Sequence, residues 1–235
     1  MIASVLFSAP MVRAILAGTK TQTRRVLNPQ PRWVQDGVMC WRGTAAMIGA
    51  HRLPYSVGDR LWVRESYFQR GHWEPVVGAV TRIGKRQKWR FVPADETILF
   101  DSPASFRKGR HAADPDVVTW HRRLGRFMPR RASRLTLTVT DVRVERLQDI
   151  SEEDALAEGV VDTGRRDGAP YQHFLIPWVP EITTEHEPSP VFASLWERIN
   201  GPGAWAANPW VAAYTFTVEH RNIDAMTAEA ARCAS

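Results

Sequence analysis

A short polar run after the first predicted helix holds the residue types best suited to chemistry in this sequence. Between residues 19 and 25 it contains Lys20, the hydroxyl group of Thr23, and the neighbouring pair Arg24 and Arg25. Positive charges nearby disfavour the ammonium form of a lysine, so its pKa falls toward the range that a general base needs. Arginine side chains can hold a phosphate group or a developing oxyanion. The alternatives are a solvated basic segment, or one that binds phosphate without catalysis.

Several common catalytic and binding motifs are missing. Gly18-Thr19-Lys20-Thr21 has only a faint likeness to a phosphate-binding loop, because no glycine directly precedes the lysine. The seven histidines show no metal-ligand spacing, and the two cysteines do not pair with them. The sequence holds no serine in a nucleophile-elbow context and no GxGxxG motif. It therefore predicts neither a metal site nor a cofactor.

The polar run must be positioned by the elements at the start of the chain. Val5 to Phe7 is predicted to form a strand, and Pro10 to Ala17 a helix that ends at Gly18. Further along, the turn Gly58-Asp59 leads into a predicted strand from Arg60 to Glu65. The polar run from Thr19 to Arg25 follows the helix, and Asn28-Pro29-Gln30-Pro31 breaks any regular element after it.

The second half of the chain contains the clearest elements. Alternating apolar and threonine residues predict a long strand from Ser133 to Leu147, with a bulge or bend at Asp141 where the alternation shifts. A short acidic helix begins after its capping residue Ser151 and ends at Gly159. A helix from Pro190 to Asn200 and a strand from Trp210 to Glu219 follow.

Two segments interrupt this pattern and are predicted to be insertions. Residues 66–126 mix glycine, proline, aromatic and basic residues, with weak strands near Val76–Ile83 and Trp89–Val92. Residues 160–189 are rich in glycine, proline and charge, and residues 221–235 form a loose or briefly helical tail. The elements predict an α+β fold with one domain over residues 1–220.

Composition narrows the class of protein. No apolar run is long enough to span a membrane, and the first fifteen residues lack the features of a signal peptide. The distant cysteines Cys40 and Cys233 do not indicate disulfides, so a cytoplasmic location is expected. The net charge of +6 combines a basic first half with an acidic second half. This asymmetry attracts phosphates, unless the two halves neutralise each other.

Four segments resemble landmarks of the ASCH-domain family. The run Ile15–Arg25 resembles the family's ILAGxKTxTxR opening, and Gly58–Val63 its glycine-aspartate turn into a strand. Val142–Gly159 resembles its strand followed by a short acidic helix, and Trp210–Val218 its closing strand. More loosely, two further segments resemble a phage or prophage branch of the family: Phe127–Arg130 and Asn200–Gly203.

The resemblance implies a PUA-like β-barrel with short helices, whose cleft takes a nucleobase or RNA. Some small bacterial members are amidohydrolases that remove the acetyl group from N4-acetylcytidine. Carried over by motif, Lys20 is the proton acceptor, Thr23 the nucleophile and Glu158 the proton donor.

The three residues suit these roles on physical grounds. Thr23 is a poor nucleophile unless a base such as Lys20 takes its proton. Glu158 is at the end of its helix, one turn after Asp154, and both the helix dipole and the nearby charge raise the pKa of a carboxyl group there. Three residues apart in a regular strand, Lys20 and Thr23 would lie on opposite faces, so irregular backbone is expected at Thr21 and Gln22.

Other residues are predicted to bind the substrate. Trp62 can stack on a base and Glu65 can accept a hydrogen bond from an exocyclic amine, with Arg64 between them. For Trp62, a place in the core is the alternative. A further set of arginines is predicted to bind a phosphate group or the backbone of a nucleic acid: Arg24, Arg25, Arg130 and Arg134.

Two principal functions follow from the sequence. The first is an amidohydrolase that acts on N4-acylated cytidine or a related base. The second is a non-catalytic module that binds a modified base or nucleic acid, RNA in preference to DNA, through basic clusters at residues 82–90 and 107–110. Ribonuclease activity is a third hypothesis, for which the sequence shows no distinct group of catalytic residues. The sequence does not determine the natural substrate or the oligomeric state.

Overall fold

Strands dominate the described part of the chain, and three α-helices lie between them. The computed structural model describes residues 1–35, 38–41, 44–47, 53–165, 171–184 and 186–226. Over these ranges the strands form four sheets, none of which closes into a barrel. The predicted α+β class is confirmed. None of the helices in the described ranges is long and apolar enough to cross a membrane.

The largest sheet has five strands, which come from both ends of the chain. Their order is β1-β6-β10-β14-β2. The strands are β1 (Ile2–Leu6), β2 (Gln22–Val26), β6 (Arg60–Arg64), β10 (Thr136–Arg146) and β14 (Trp210–Glu219). β10 and β14 pair antiparallel along their length, and the register shifts between Val139 and Asp141, which confirms the irregularity predicted at Asp141.

The helices agree with the sequence pattern to within a few residues. α1 spans Ala9–Leu16, α2 Glu152–Ala157 and α3 Pro188–Asn200. The Ser151 side chain accepts a hydrogen bond from the Asp154 N–H, which confirms the predicted N-terminal cap of α2. α3 has proline in its first turn, where the missing N–H costs nothing.

Three further sheets have three strands each. They are formed by β3 (Trp33–Gln35), β4 (Val38–Trp41) and β5 (Thr44–Met47); by β7 (Tyr67–Val80), β8 (Gln87–Leu99) and β9 (Thr119–Arg123); and by β11 (Val161–Arg165), β12 (Gln172–Ile176) and β13 (Val179–Thr184). The segments predicted to be insertions are therefore largely strands. Residues 166–170, 185 and 227–235, which belong to the predicted second insertion and tail, lie outside the described residues.

The chain divides into two compact units. Unit 1 comprises Met1–Ser4, Pro10–Trp62 and Arg134–Ser235, and unit 2 comprises Val5–Ala9 and Val63–Ser133. Unit 2 contains the whole predicted insertion at residues 66–126. In unit 1, α2, α3 and the β12–β13 hairpin share an apolar core whose largest members are Leu147, Phe174, Ile176, Phe192, Leu195 and Trp196.

Candidate functional site

A cavity of about 230 Å³ lies in unit 1 beside β2, the last strand in the order of the main sheet. The walls come from α1, from β2 and its preceding connection, from the end of α2, and from α3. The lining residues are Met11, Lys20, Thr23, Arg24, Arg25, Val26, Glu158, Phe192, Leu195, Trp196, Ile199 and Asn200. The three residues with predicted catalytic roles therefore line one cavity.

Lys20 and Glu158 form a buried ion pair in this cavity. The Lys20 Nζ donates hydrogen bonds to Glu158 Oε2 at 2.5 Å and to the Glu158 backbone carbonyl at 2.9 Å. Only 2% of the lysine side chain and 5% of the glutamate side chain are exposed. The end of α1 and the end of α2 position the ion pair. The Lys20 backbone N–H donates a hydrogen bond to the Ala14 carbonyl in α1, and the Thr21 backbone N–H donates one to the Ala157 carbonyl in α2.

Burial is the main influence on the charge of Lys20. Removal from water penalises the ammonium form and lowers the pKa of Lys20 below its usual 10.5, although the Glu158 carboxylate acts in the opposite direction. The charges of Arg25 and Arg24 lower the pKa further, as the sequence predicts, but they are smaller causes than burial.

Arg24 connects the ion pair to a second group of carboxylates. Its Nη2 donates to Glu145 Oε1 and to Asp154 Oδ2, both at 2.7 Å, and its Nη1 lies 3.4 Å from Glu158 Oε1. The side chain is fully buried. A buried guanidinium with several carboxylate partners has a fixed orientation, so Arg24 holds β2, β10 and α2 in one arrangement.

Asp154 is the acceptor shared by this network. It receives hydrogen bonds from Gln22 Nε2 at 2.9 Å and from Arg143 Nη2 at 2.8 Å, in addition to Arg24. Burial alone would raise the pKa of Asp154, but the hydrogen bonds from Gln22 and Arg143 and the charge of Arg24 outweigh it and lower the pKa below 3.8. Asp154 is therefore an anion that anchors the network at neutral pH.

The apolar wall of the cavity comes from one face of α3, which sequence reasoning did not assign to the site. Phe192, Leu195 and Trp196 are buried, whereas Ile199 is 53% exposed at the end of this face. The Arg24 guanidinium lies 5.9 Å from the centre of the Phe192 ring. The spacing of these apolar residues at three and four positions predicts a buried face but not what that face meets.

The backbone of β2 also contributes polar groups. The Thr21 carbonyl accepts a hydrogen bond from β14 at 2.9 Å, and the Leu27 N–H donates one to β14 at 3.0 Å. In an antiparallel ladder the bonded direction alternates from residue to residue. The N–H and C=O groups of Arg24 and Val26 therefore point away from β14, and both residues line the cavity.

Thr23 lines the cavity from the face of β2 opposite to Arg24. Strand pairing places Thr23 opposite Tyr214, whereas Arg24 is opposite Ala213, so the Thr23 and Arg24 side chains lie on different faces of β2. Lys20 precedes the strand, which begins at Gln22, so the irregular backbone predicted between Lys20 and Thr23 includes position 21 but not Gln22. Among the hydrogen bonds of the described residues, none joins the Lys20 and Thr23 side chains.

The remaining predicted binding residues divide between the cavity and other places. Arg25 lines the cavity. Trp62 does not: it is half-buried on β6, paired with Thr136 of β10, three strand spacings or roughly 14 Å from β2. Arg134, also in unit 1, is half-buried at the approach to β10.

Three predicted binding residues belong to unit 2. Glu65 is buried, with 2% exposed, and its backbone N–H contacts the Met128 Sδ at 3.3 Å. Arg64 and Arg130 are half-buried. None of the three lines the cavity of unit 1, and their roles in binding stay predictions.

Comparison of the chain with family models, curated proteins and solved structures found no match. In the part of the chain that the structure describes, no three His, Cys, Asp or Glu side chains are grouped to hold a metal ion. The geometry of the cavity is therefore the basis for a functional assignment.

Proposed function

We propose that the cavity of unit 1 binds a nucleobase and that the protein is an amidohydrolase which removes the acetyl group from N4-acetylcytidine or a closely related base. The observation that carries this proposal is the buried Lys20–Glu158 pair in the cavity wall, with 2.5 Å between Nζ and Oε2. Burying two charges is costly, so an ion pair that faces a cavity is a candidate functional site.

The proposal includes membership of the ASCH family and a PUA-like arrangement of the main sheet. The segments Ile15–Arg25 and Val142–Gly159, which resemble two landmarks of the family, supply Lys20 and Glu158 respectively, and the two side chains are in contact. This contact between residues 138 positions apart supports the proposal.

The size and lining of the cavity support a small planar ligand. A volume of about 230 Å³ is below the range of roughly 300–1,000 Å³ that is usual for drug-sized ligands. Phe192 and Trp196 supply aromatic surface for a ring to contact. The outward N–H and C=O groups of Arg24 and Val26 match the alternating donors and acceptors at the edge of a pyrimidine.

In the proposed reaction the Thr23 hydroxyl adds to the acetyl carbonyl while neutral Lys20 accepts its proton. The tetrahedral intermediate expels the cytosine N4 as Glu158 donates a proton to it, which leaves an acetyl ester on Thr23. Water then hydrolyses the ester and releases acetate. Transfer of a proton between Lys20 and Glu158 leaves no net charge buried, which favours this pair as an acid and base.

The position of Thr23 also allows a variant of this reaction. Because its side chain lies on the face of β2 opposite to Arg24, a water molecule held by Lys20 can be the nucleophile instead. Glu158 then protonates N4 in the same step that releases acetate. Thr23→Ala separates the two routes, because it abolishes the first and spares the second.

The test is chromatography of N4-acetylcytidine after incubation with the purified protein and its Lys20→Ala and Glu158→Gln variants. The expected result is release of cytidine by the unaltered protein and a loss of at least 100-fold, on the order expected for a general acid or base, in both variants. The limb of the pH–rate profile on which the rate rises should have its midpoint below 10.5, because the pKa of Lys20, the proposed base, is lowered.

Matched controls are Lys108→Ala and Glu153→Gln, which change exposed residues of the same types. Both should retain full activity. Circular dichroism of every variant separates loss of chemistry from loss of the fold. Absence of turnover by the folded, unaltered protein at high concentration would exclude this substrate.

A second candidate function is binding of a modified base or of RNA without turnover. The observation that favours it is that no hydrogen bond joins the Lys20 and Thr23 side chains among the described residues, and that the Thr23 side chain lies on the face of β2 opposite to Arg24. Saturable binding of N4-acetylcytidine, weakened by Ile199→Ala but without product, would establish this function.

A further inference from the structure

The outer part of the β7–β8 hairpin in unit 2, residues 76–90, is a strongly basic arm. It carries five cationic side chains, Arg82, Lys85, Arg86, Lys88 and Arg90, and the sequence has no acidic residue from position 75 to position 94. β7 and β8 contain 14 and 13 residues, and β9 pairs only with residues 67–71 of β7. The arm is thus a two-stranded ribbon.

The tip of the arm has a defined conformation. The Thr81 N–H donates to the Arg86 carbonyl at 2.7 Å, and the Arg86 N–H donates to the Thr81 hydroxyl at 3.1 Å. Below the tip, the Gln87 side-chain amide donates to the carbonyls of Val76 and Lys88. These contacts fix the ribbon where its regular pairing is interrupted, so its cations project from an ordered surface.

The charge of the arm is largely uncompensated. Arg90 pairs with Glu74 at 2.8 Å. Arg82, Lys85, Arg86 and Lys88 are exposed, and within the part of the chain that the structure describes none of these four takes part in an ion pair. Four exposed cations that form no ion pair within the described ranges, all on one short hairpin, attract an extended polyanion.

An aromatic surface lies beside these cations. The Arg110 guanidinium lies 4.3 Å from the centre of the Trp89 ring, and Arg110 is exposed. Trp89 is half-buried. Stacked indole and guanidinium groups are a surface on which unpaired bases stack.

We infer that the arm binds single-stranded RNA through its phosphates, with the Trp89–Arg110 surface contacting unpaired bases. A single strand fits better than a duplex because its bases are free to stack on that surface. A lipid surface fits less well: the most exposed apolar residues of the arm are Val77 and Ile83, and the arm lacks the exposed aromatic residues typical of interfacial segments.

The part of this inference that concerns the substrate of unit 1 rests on the proposed function. If unit 1 deacetylates a cytosine base, then RNA binding by the arm implies that the preferred substrate is a base within an RNA strand and not a free nucleoside. Binding of RNA by the arm is a separate property, which does not depend on Lys20 or Glu158.

The test is fluorescence anisotropy of a labelled single-stranded RNA of mixed sequence, measured at several salt concentrations. The variant carries Arg82→Gln, Lys85→Gln, Arg86→Gln and Lys88→Gln together. Because each phosphate contact on a single strand contributes about 0.7 to the slope of log K against log salt, the slope should fall by about 3 and the affinity by roughly tenfold or more.

The matched control removes the same charge from four exposed arginines outside the arm: Arg32→Gln, Arg70→Gln, Arg122→Gln and Arg165→Gln. An equal loss of affinity in the control would overturn the inference, because net charge alone would then explain binding. Arm-dependent binding that is as strong for duplex DNA, or that occurs only with vesicles of anionic lipid, would also overturn it.

The link to the proposed function has its own measurement. The arm variant should lower kcat/KM for an RNA strand that contains N4-acetylcytidine and leave the value for the free nucleoside unchanged. If the protein deacetylates neither substrate but binds RNA through the arm, the proposed function fails and the arm assignment stands.

Discussion

The Lys20 side chain is almost fully buried, and the Glu158 carboxylate offsets part of the cost of burying its ammonium group. The Nζ atom has Glu158 Oε2 at 2.5 Å and the Glu158 carbonyl at 2.9 Å as its acceptors. Removing one member of such a pair leaves the other buried without its counter-charge. Removing both relieves that penalty.

Stability should therefore respond differently to single and double substitutions of this pair. Lys20→Met is expected to lower the free energy of unfolding by about 3 kcal/mol, because the Glu158 carboxylate stays buried. Lys20→Met combined with Glu158→Gln should recover most of this loss. Urea denaturation at pH 7 measures both, and equal losses in the two variants would contradict the expectation.

Asp154 should give the protein an acid-sensitive contribution to stability. Its pKa is lowered in the folded state, so the ionised form stabilises the fold above the usual pKa of 3.8, and this contribution disappears as the pH falls through the lower, folded-state pKa. Asp154→Asn is expected to cost about 2 kcal/mol at pH 7, as for hydrogen bonds to a charged group. The cost should shrink below pH 4.

Urea denaturation between pH 3 and pH 7 measures this difference. Asp116→Asn is the control, because Asp116 is exposed and its substitution should change little at any pH. A cost for Asp154→Asn that is independent of pH would mean that the ionised form has no special role.

At the scale of single residues, the sequence predicts the polar side of the cavity and misses its apolar side. Lys20, Thr23, Arg24, Arg25 and Glu158 all line it. The α3 side chains went unassigned because periodicity gives the buried face of a helix but not its neighbours. The charge partners of Arg24 were also unassigned, since they lie more than a hundred positions along the chain and only the fold brings them together.

At the scale of elements, sequence prediction succeeds where local signals are strong. The strand predicted from Trp210 to Glu219 has these bounds in the structure, and the capped acidic helix is confirmed. β7 and β8 were largely missed because Gly71, Pro75 and Pro93 interrupt their pattern. Their prolines are tolerated because β8 is an edge strand and β7 has no second neighbour at Pro75.

The end of α2 has a glycine whose replacement should disturb the cavity. Gly159 has a φ of +106°, and a Cβ there would lie 3.0 Å from the Trp178 ring and 3.6 Å from the Lys20 Cβ. Gly164 also has a positive φ, +78°, but a Cβ there would meet nothing within 4 Å. Gly164→Ala should cost about 1 kcal/mol from backbone strain alone.

Gly159→Ala should cost more than Gly164→Ala, because contact with Trp178 adds to the strain. Thermal unfolding of the two variants gives the comparison. A smaller or equal loss of Tm in Gly159→Ala would show that the Trp178 side chain moves aside without cost.

At the scale of the whole molecule, charge is partitioned between the two units. Unit 2 has fifteen arginine and lysine residues against seven acidic residues, a net charge of +8, whereas unit 1 has sixteen against eighteen, a net charge of −2. The sequence shows a basic first half, but only the structure shows that the positive net charge belongs to unit 2. That division follows long-range contacts, which composition does not contain.

Backbone protection should differ strongly between the main sheet and the arm. β10 and β14 contain buried residues and pair along their length, whereas the arm is a ribbon with mostly exposed side chains. Amide hydrogen exchange followed by mass spectrometry should show the slowest exchange in residues 135–144 and 211–216 and the fastest in residues 76–88. Equal protection of the arm would contradict its description as a solvated hairpin.

The placement of the four lysines has a practical consequence for handling the protein. Lys85, Lys88 and Lys108 are exposed in unit 2, whereas Lys20 is enclosed beside Glu158. Coupling to an amine-reactive resin or sensor chip will therefore attach the protein through unit 2 or the chain terminus and leave the cavity unmodified. A protein immobilised in this way retains its pocket for small ligands but has its basic hairpin tethered to the support.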